Sequence, residues 1–453
     1  VEILLFGVAF PAGCRNAAGE YRATPARLLC KPTEGKTRIV KRRDLFAGSL
    51  ALGALATRKS WASVPEAAAA LRRTAPAGSI PHLLPMRVHM DQLTDIKVCL
   101  RPFRPMGPRL DVEKIGDKTV IHNYGHGGSG WSLSWGSANI AVGKAAATLK
   151  ESVAVIGCGV IGLTSALTAQ RAGKTVTIYT KALLPHTRSV RANGSWTPDS
   201  RVALTKPAGP EFAAVWEQMA RYSWRTYRDY LGLPGNPIDF RDNYSLSDIP
   251  FDQRHLPPPA PGVGDYSTTG KPQHTSEFAD YGDLIRDIIP NPEDIDPKDN
   301  PFPVAHARRA NMMMFNFGAY GHLLLSEFYQ AGGKIVIREF HNPADLKSLP
   351  EDVIINCPGY AASDWWQDKT LIPVRGQTNW LPPQADALYG VEYRGAALLS
   401  KTDGVMVQGL DFTHTLGEMI GVGNSFEHAD RSEAEKAIGI FEDLFARMGK
   451  EHV

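Results

Sequence analysis

The chain has 453 residues, room for two large domains or three of about 150 residues each. Its 43% hydrophobic and 21% charged composition, with 42 Gly and 33 Pro, excludes fibrous, collagen-like and wholly disordered classes. The formal charge of +3 is carried by the N-terminus: residues 1–60 hold 11 basic and 4 acidic side chains, leaving 39 basic against 43 acidic elsewhere, so neither nucleic acid nor an anionic membrane surface is an expected partner.

Lys41, Arg42 and Arg43 precede an apolar, small-residue run from Leu45 to Ala56, with small-residue cleavage sites at Ala54-Leu55-Ala56 or near Ala62. That is the pattern of an export signal. The apolar run of about 12 residues falls short of the roughly 20 needed to cross a bilayer, so no permanent membrane anchor is expected. The paired arginines resemble a twin-arginine signal, although Asp44-Leu45-Phe46 departs from its usual order, and imply export of a folded protein to a bacterial periplasm. Met first occurs at Met86, and a start at Val40 from a non-ATG codon would make residues 1–39 upstream sequence. Residues 1–62 therefore read as a leader. Of five cysteines, Cys14 and Cys30 fall there, and Cys99, Cys158 and Cys357 are too scattered for a disulfide framework or a zinc pattern.

Residues 63–85 are Ala/Pro-rich and read as a linker. A strand is expected within Val88 to Arg101, then extended chain through Arg101-Pro102-Phe103-Arg104-Pro105, where two prolines forbid helix. A Gly-rich loop, His122 to Ser132, leads into a helix through Lys150. Val153 to Ile156 is a continuous apolar run of the kind a doubly buried parallel strand needs. It ends in Gly157-Cys158-Gly159-Val160-Ile161-Gly162, followed by an amphipathic helix to Ala172 and a second strand, Lys174 to Tyr179, completing a βαβ unit. From Glu211 to Leu231 the apolar residues recur at helical spacing, an aromatic stripe that reads as core. Pro250 to Pro303 is dense in Pro, Asp, Gly and Asn and reads as a long loop or lid. Beyond it come a helix from Tyr320 to Gln330, strands at Lys334 to Arg338 and Asp352 to Asn356, antiparallel strands around Leu398 to Val407, and a closing helix from Glu433 to Met448.

A GxGxxG between strand and helix permits a tight turn, a close backbone approach to a pyrophosphate and tight helix packing, with the helix N-terminus facing the phosphates. The acid that ordinarily ends the second strand and holds ribose hydroxyls is replaced by Thr180-Lys181. The second glycine loop, Gly125 to Gly130, suits a cofactor with a further large group that backbone N–H groups must reach.

His122-Asn123-Tyr124-Gly125-His126-Gly127-Gly128-Ser129-Gly130-Trp131-Ser132 is very similar to the flavin-binding segment of the D-amino acid oxidase family. So are Leu100 to Pro105, the βαβ unit, Asn193 to Pro198, Val353 to Gly359 and Arg375-Gly376-Gln377. The resemblance runs from Val88 onward and thins over the proline-rich insertion. Family members begin with the βαβ unit and end with the arginine and HNYGHGG segments; here those segments come first, so the chain looks circularly permuted, with the new join at Lys150-Glu151.

The resemblance implies an α/β fold: a Rossmann-like FAD-binding domain from residues 110–205 and 318–376, and a mixed-sheet substrate domain from 63–109, 206–317 and 377–453, with the insertion near 250–303. It implies oxidation of an amino acid by hydride transfer from Cα to flavin N5, an imino acid product, and reoxidation by oxygen or another acceptor to give, with oxygen, peroxide. A homodimer is compatible with it. Two readings stay open beside this one: a related flavin-dependent amine or secondary-amine oxidase or dehydrogenase, and a flavin-binding protein without turnover.

Arg101 matches the family's carboxylate-binding arginine, whose planar fork fixes an amino acid by two parallel hydrogen bonds; Arg104, three residues on, is expected on the opposite face of an extended strand. Tyr393 matches one of two substrate-facing tyrosines, and the second position is Ala397, which cannot hydrogen-bond a carboxylate. Gly157, Gly159, Val160, Ile161, Gly162 and Cys357, with Thr187, Arg188, Ser189, Gly194, Ser195 and Thr197, match cofactor-contacting positions. Gly127, Gly128, Ser129, Gly130, Trp131 and Ser132 match positions that line the flavin ring. His122 and His126 read as structural hydrogen-bonders, since no acid or Cys completes a metal-ligand set; no metal is expected.

Overall fold

The computed structural model describes residues 83–448 apart from 262 and 265. The leader, its export signal and all but the end of the linker lie outside the described residues, which belong to a compact unit, Pro76–Val453. In chain order the strands are β1 (Asp95–Phe103), β2 (Val112–Ile115), β3 (Lys118–His122), β4 (Ser152–Ile156), β5 (Thr175–Thr180), β6 (Ile238–Ser247), β7 (Glu293–Asp294), β8 (His306–Phe315), β9 (Lys334–Ile337), β10 (Val353–Asn356), β11 (Ile372–Leu381), β12 (Gly390–Tyr393), β13 (Ala396–Lys401) and β14 (Gly404–Gly409). The longer helices are α1 (Gly130–Ala146), α2 (Val160–Arg171), α3 (Phe212–Arg228), α4 (Phe317–Gln330) and α5 (Arg431–Met448).

Six strands form a sheet in the order β2-β3-β10-β4-β5-β9, parallel except for the edge pair β2 and β3. Its central strands are apolar at nearly every position because they are buried on both faces. Val153, Val155 and Ile355 join the core shared with α1 and α2, while Ala154, Ile156 and Ile354 join a second cluster with Phe340, Trp365 and Leu371. Both glycine turns leave the C-terminal ends of strands in this sheet, β3 and β4, the edge at which open α/β sheets bind ligands.

The other sheet has eight strands in the order β1-β11-β14-β13-β12-β6-β8-β7. They pair antiparallel except β12 with β6. Period-two alternation sends Val391, Leu398, Val405 and Val407 against Ile438 and Phe441 of α5, and sends Trp380, Leu399 and Met406 to the opposite, inner face, which is continuous with the first core. The aromatic stripe of α3 is core as expected: Trp216, Met219 and Tyr227 are fully buried. The proline-rich stretch holds only single turns and the two-residue β7. The long pair β6 and β8 has no clear signal in the sequence. Charged residues such as Arg241, Asp242, Arg308 and Arg309 interrupt its apolar alternation, and the ladder rests on ten main-chain partners instead.

Candidate active site

Both glycine turns open onto one cavity of about 880 Å³, large for a small-molecule site. The first turn follows β4. Gly157 has φ +96° and a Cβ there would stand 2.6 Å from the Cys357 carbonyl oxygen, while a Cβ on Gly162 would stand 2.0 Å from the Gly157 carbonyl oxygen. Only hydrogen fits at either position, which leaves the start of α2 bare for a ligand. The second turn follows β3, where a Cβ on Gly127, at φ +57°, would meet the Arg201 carbonyl oxygen at 1.8 Å.

The cavity wall includes Arg101, Gly127, Gly128, Gly130, Trp131, Gly157, Gly159, Val160, Ile161, Gly162, Thr187, Arg188, Ser189 and Cys357. Ser189 accepts a hydrogen bond from the Val160 amide at 2.9 Å, and the Trp131 indole donates to the Ser189 carbonyl at 2.7 Å, so each turn is tied to the 187–191 segment. Ser129, Ser132, Gly194, Ser195 and Thr197 lie behind the wall rather than on it. Ser129 Oγ donates to the Ser200 carbonyl, the Thr197 amide donates to Ser132 Oγ, Ser195 bonds the Asn193 side chain, and Gly194 packs against Phe315 and the Lys401 ammonium. Ser129 and Ser132 thereby tie the second glycine turn and the start of α1 to the 195–200 segment.

Whether the wall suits the dinucleotide implied by the resemblance is answered by its polar atoms. Asn123 Oδ1, His126 Nε2 and Thr187 Oγ1 are buried on lining residues without a partner among the described residues, a costly condition that a polar ligand relieves. Two bare glycine turns, unsatisfied donors and acceptors, and sufficient volume together fit FAD.

Arg101 stands on β1 opposite Val374 of β11, on the inner face. Its guanidinium lies across Gly376, where a Cβ would be 2.3 Å from Nη2, and it donates only a long bond, 3.4 Å, to the Arg375 carbonyl. Among the described residues it has no carboxylate partner. Arg104, by contrast, turns the other way and is consumed by Asp368 at 3.4 Å, Thr370 and the Gly107 carbonyl. Gly376→Ala should push the Arg101 head group aside without disturbing the fold. We expect roughly a tenfold rise in KM for carboxylate substrates, the scale of one weakened charged hydrogen bond, with FAD content unchanged by absorbance.

Tyr393 is a correction. It does not reach the cavity: it is buried against α5, with its hydroxyl 2.8 Å from Asp248 Oδ1 and 3.5 Å from Arg447. The cause is the turn. Arg394 and Gly395 both have positive φ and form a two-residue hairpin that sets Tyr393 opposite Ala396, so Ala397 pairs with Glu392 on the other face. Spacing alone puts residues 393 and 397 on one side. The inner face instead presents Ala397 and Glu392, whose carboxyl is pushed up by burial.

Several wall residues escape sequence reading. Cys99 shares the inner face with Arg101 two residues away, a relation that strand periodicity could have shown; burial raises its thiol despite Arg101, Arg188 and Arg191 nearby. Glu427 reaches the wall from the segment before α5 and holds Arg188 through two bonds of 2.6 and 2.8 Å and Arg191 at 3.0 Å. Arg188 therefore offers the cavity a neutralised pair and not a free cation. Beneath Gly127, Arg201 pairs with Glu418 at 3.1 Å, and burial lowers it to about 10, with Glu418 opposing and Arg101 adding to the effect.

His122 is a hydrogen-bonding residue, whereas His126 is buried with Nε2 unpartnered among the described residues, and no metal-binding cluster occurs among them. His122 Nε2 meets Glu113 at 3.1 Å and Nδ1 meets Asn356 at 3.2 Å. Burial lowers His126 to about 3. Its unfolded counterpart titrates near 6.5, so the unfolded chain binds more protons and stability falls as pH drops from there toward about 3. His126→Gln is expected to lose less Tm than the parent between pH 7 and pH 4, read by calorimetry.

The family described as FAD dependent oxidoreductase (DAO) matches residues 152–449. A D-amino-acid oxidase of Rubrobacter xylanophilus is 38% identical over 119 residues, covering 25% of this chain and 33% of that protein. A D-aspartate oxidase of Talaromyces thermophilus is 53% identical over 55 residues, 11% and 15% of the two chains. A D-amino-acid oxidase of Dictyostelium discoideum is 23% identical over 245 residues, 50% and 56%. The chain thus spans at most just over half the length of these relatives. Among solved structures, glycine oxidase from Geobacillus kaustophilus aligns over 66% of this chain and 80% of its own, at 13% identity and a TM-score of 0.44. The chain belongs to the DAO family of FAD-dependent oxidoreductases.

Proposed function

We propose that this enzyme oxidises free amino acids, D-amino acids first among them, to imino acids, with oxygen as the acceptor of the electrons. Bound FAD supplies the hydride acceptor and the means of reoxidation. The observation that carries this reading is Arg101, a guanidinium on the cavity wall without a carboxylate partner among the described residues, with both flavin-type glycine turns on the same wall. An uncompensated guanidinium of this kind favours an anionic partner, and its bidentate fork orients a substrate carboxylate so that Cα can face the ring. Trp131, stacked on Phe315 at 5.6 Å and packed at a tilt against Phe317 at 4.7 Å, gives the site a stiff apolar wall.

A second reading, oxidation of a secondary or N-alkyl amine, is favoured by the inner face of the hairpin, where Ala397 and Glu392 stand and no phenol does. Anaerobic mixing separates the readings. Bleaching of the flavin by D-amino acids supports the first, bleaching by N-alkyl amines alone supports the second, and a flavin that neither reduces identifies a binding protein without turnover.

The proposal includes a circular permutation. The family match opens at residue 152, the first residue of β4, yet β1, β3 and α1 before it are built into the two sheets and their shared core. Met86 and Met448 share one core cluster, so the interrupted ends are near enough for a short linker. A chain begun at Glu151, linked from Met448 to Pro85 and ended at Lys150, is expected to fold and retain FAD; an insoluble or colourless product would count against it. Export through the twin-arginine-like signal to a periplasm and assembly as a homodimer belong to the same proposal, tested by N-terminal sequencing of exported protein and by sedimentation velocity.

A further inference from the structure

At the cofactor's adenosine end the second strand of the βαβ unit departs from the usual pattern. Dinucleotide sites of this architecture hold the ribose diol with an acid at the end of the second strand. Here that strand, β5, ends in Thr180 and is followed by Lys181. Neither can replace the acid as it stands: Thr180 Oγ1 is buried and donates to the Ala182 carbonyl at 2.8 Å, and a lysine has donors only.

β9 lies beside β5 in parallel, with Ile337 opposite Thr180. Adjacent strands run about 4.8 Å apart, so the two strand ends open onto the same edge of the cavity. The Arg338 amide donates to the Thr180 carbonyl at 2.9 Å, carrying the β5–β9 contact one residue further, and Arg338, Glu339, Phe340 and His341 then all line the wall. The Glu339 carboxylate stands 3.1 Å from Lys181 Nζ. The Lys181 hydrogen bond holds it below the usual carboxylate range, so it is ionised and an acceptor at neutral pH.

The wall carries two other carboxylates, and both are elsewhere. Glu427 is held by Arg188 and Arg191, and Asp364 follows β10, which β4 separates from β5. We propose that Glu339, from the neighbouring strand, supplies the ribose-binding carboxylate that the end of β5 lacks, with Lys181 positioning it. The inference rests on the cofactor and is independent of which amine is oxidised.

The test reads cofactor affinity and needs no turnover. With the full chain, the FAD dissociation constant is measured from recovery of flavin fluorescence on dilution, for natural FAD and for FAD lacking the adenosine 2′-hydroxyl. Glu339→Ala is expected to weaken natural FAD roughly ten- to a hundredfold, the range of a hydrogen bond to a charged group. Against the deoxy cofactor the same substitution should cost under about threefold, because the contact is already gone. Lys181→Ala, which removes the positioning contact but leaves the carboxylate, should weaken natural FAD by a smaller factor than Glu339→Ala and leave the deoxy cofactor's affinity near the parent's. Equal weakening of both cofactors by Glu339→Ala, no weakening of either, or a loss on Lys181→Ala as large as on Glu339→Ala would overturn the assignment.

Discussion

Replacing Arg101 by alanine is expected to abolish useful turnover of carboxylate substrates while leaving the protein yellow. Truncating one partner of a buried, hydrogen-bonded charge pair costs about 2–5 kcal/mol, a fall in kcat/KM of roughly thirtyfold to several thousandfold. The flavin should stay because Arg101 makes no bond to either glycine turn; its contact is the Arg375 carbonyl on the neighbouring strand. Arg101→Lys should recover part of the charge but not the planar two-point grip, and so fall between parent and alanine variant. Amine substrates without a carboxylate should be indifferent to both changes. Steady-state kinetics on paired substrates, with the visible flavin absorbance as the measure of cofactor content at about one FAD per chain, checks all three expectations. Unchanged kinetics would remove Arg101 from the site.

Gly162→Val should have the opposite phenotype, a protein that folds less well and is colourless. The Cβ position is 2.0 Å from the Gly157 carbonyl oxygen and 3.6 Å from Cys357 Cβ. Relief requires that β4, β10 or the start of α2 move. These elements are among the most buried in the molecule: Val153, Val155, Leu163 and Ile355 are all at 0% exposure. Overpacking at such a place costs about 1–3 kcal/mol. That is enough to lower Tm by several degrees in a chain of this size and to displace the amides that face the cofactor. Loss of the flavin absorbance with Tm reduced but a single cooperative transition retained is the expected result. Full flavin content in the Gly162→Val protein would mean that this turn does not approach the cofactor.

The two substitutions probe different levels of the same site. Gly162 belongs to a local motif whose geometry is fixed within six residues. Arg101 depends on partners hundreds of residues away, Arg375 and Gly376 on β11, which set where its head group rests.

That difference explains what is legible in the sequence. The βαβ unit, the helices α3, α4 and α5, the buried aromatic stripe and the doubly apolar strands β4 and β10 follow from periodicity and turn residues, because each depends on contacts within one element or across one tight turn. Arg104 is separable from Arg101 for the same reason: extended backbone fixes which face each residue takes before any partner is known.

Where two elements must be registered against each other, the linear pattern fails. Tyr393 and Ala397 have the spacing of one strand face, but two positive-φ residues between them start a new strand in opposite register and reverse the sides. The ladder of β6 and β8 is hidden because main-chain pairing over ten residues needs no apolar alternation. Glu427 and Glu339 cannot be found by motif, since a carboxylate becomes part of a cavity only when separate segments bring it beside Arg188 or Lys181. By itself the sequence determined the glycine turns and the secondary structure that carries them, both of which rest on short-range backbone and side-chain sterics. Only the tertiary structure decided which charges meet on the cavity wall and which residues turn their backs to it, because register, strand order and ion pairing are properties of packed neighbours and not of the chain between them.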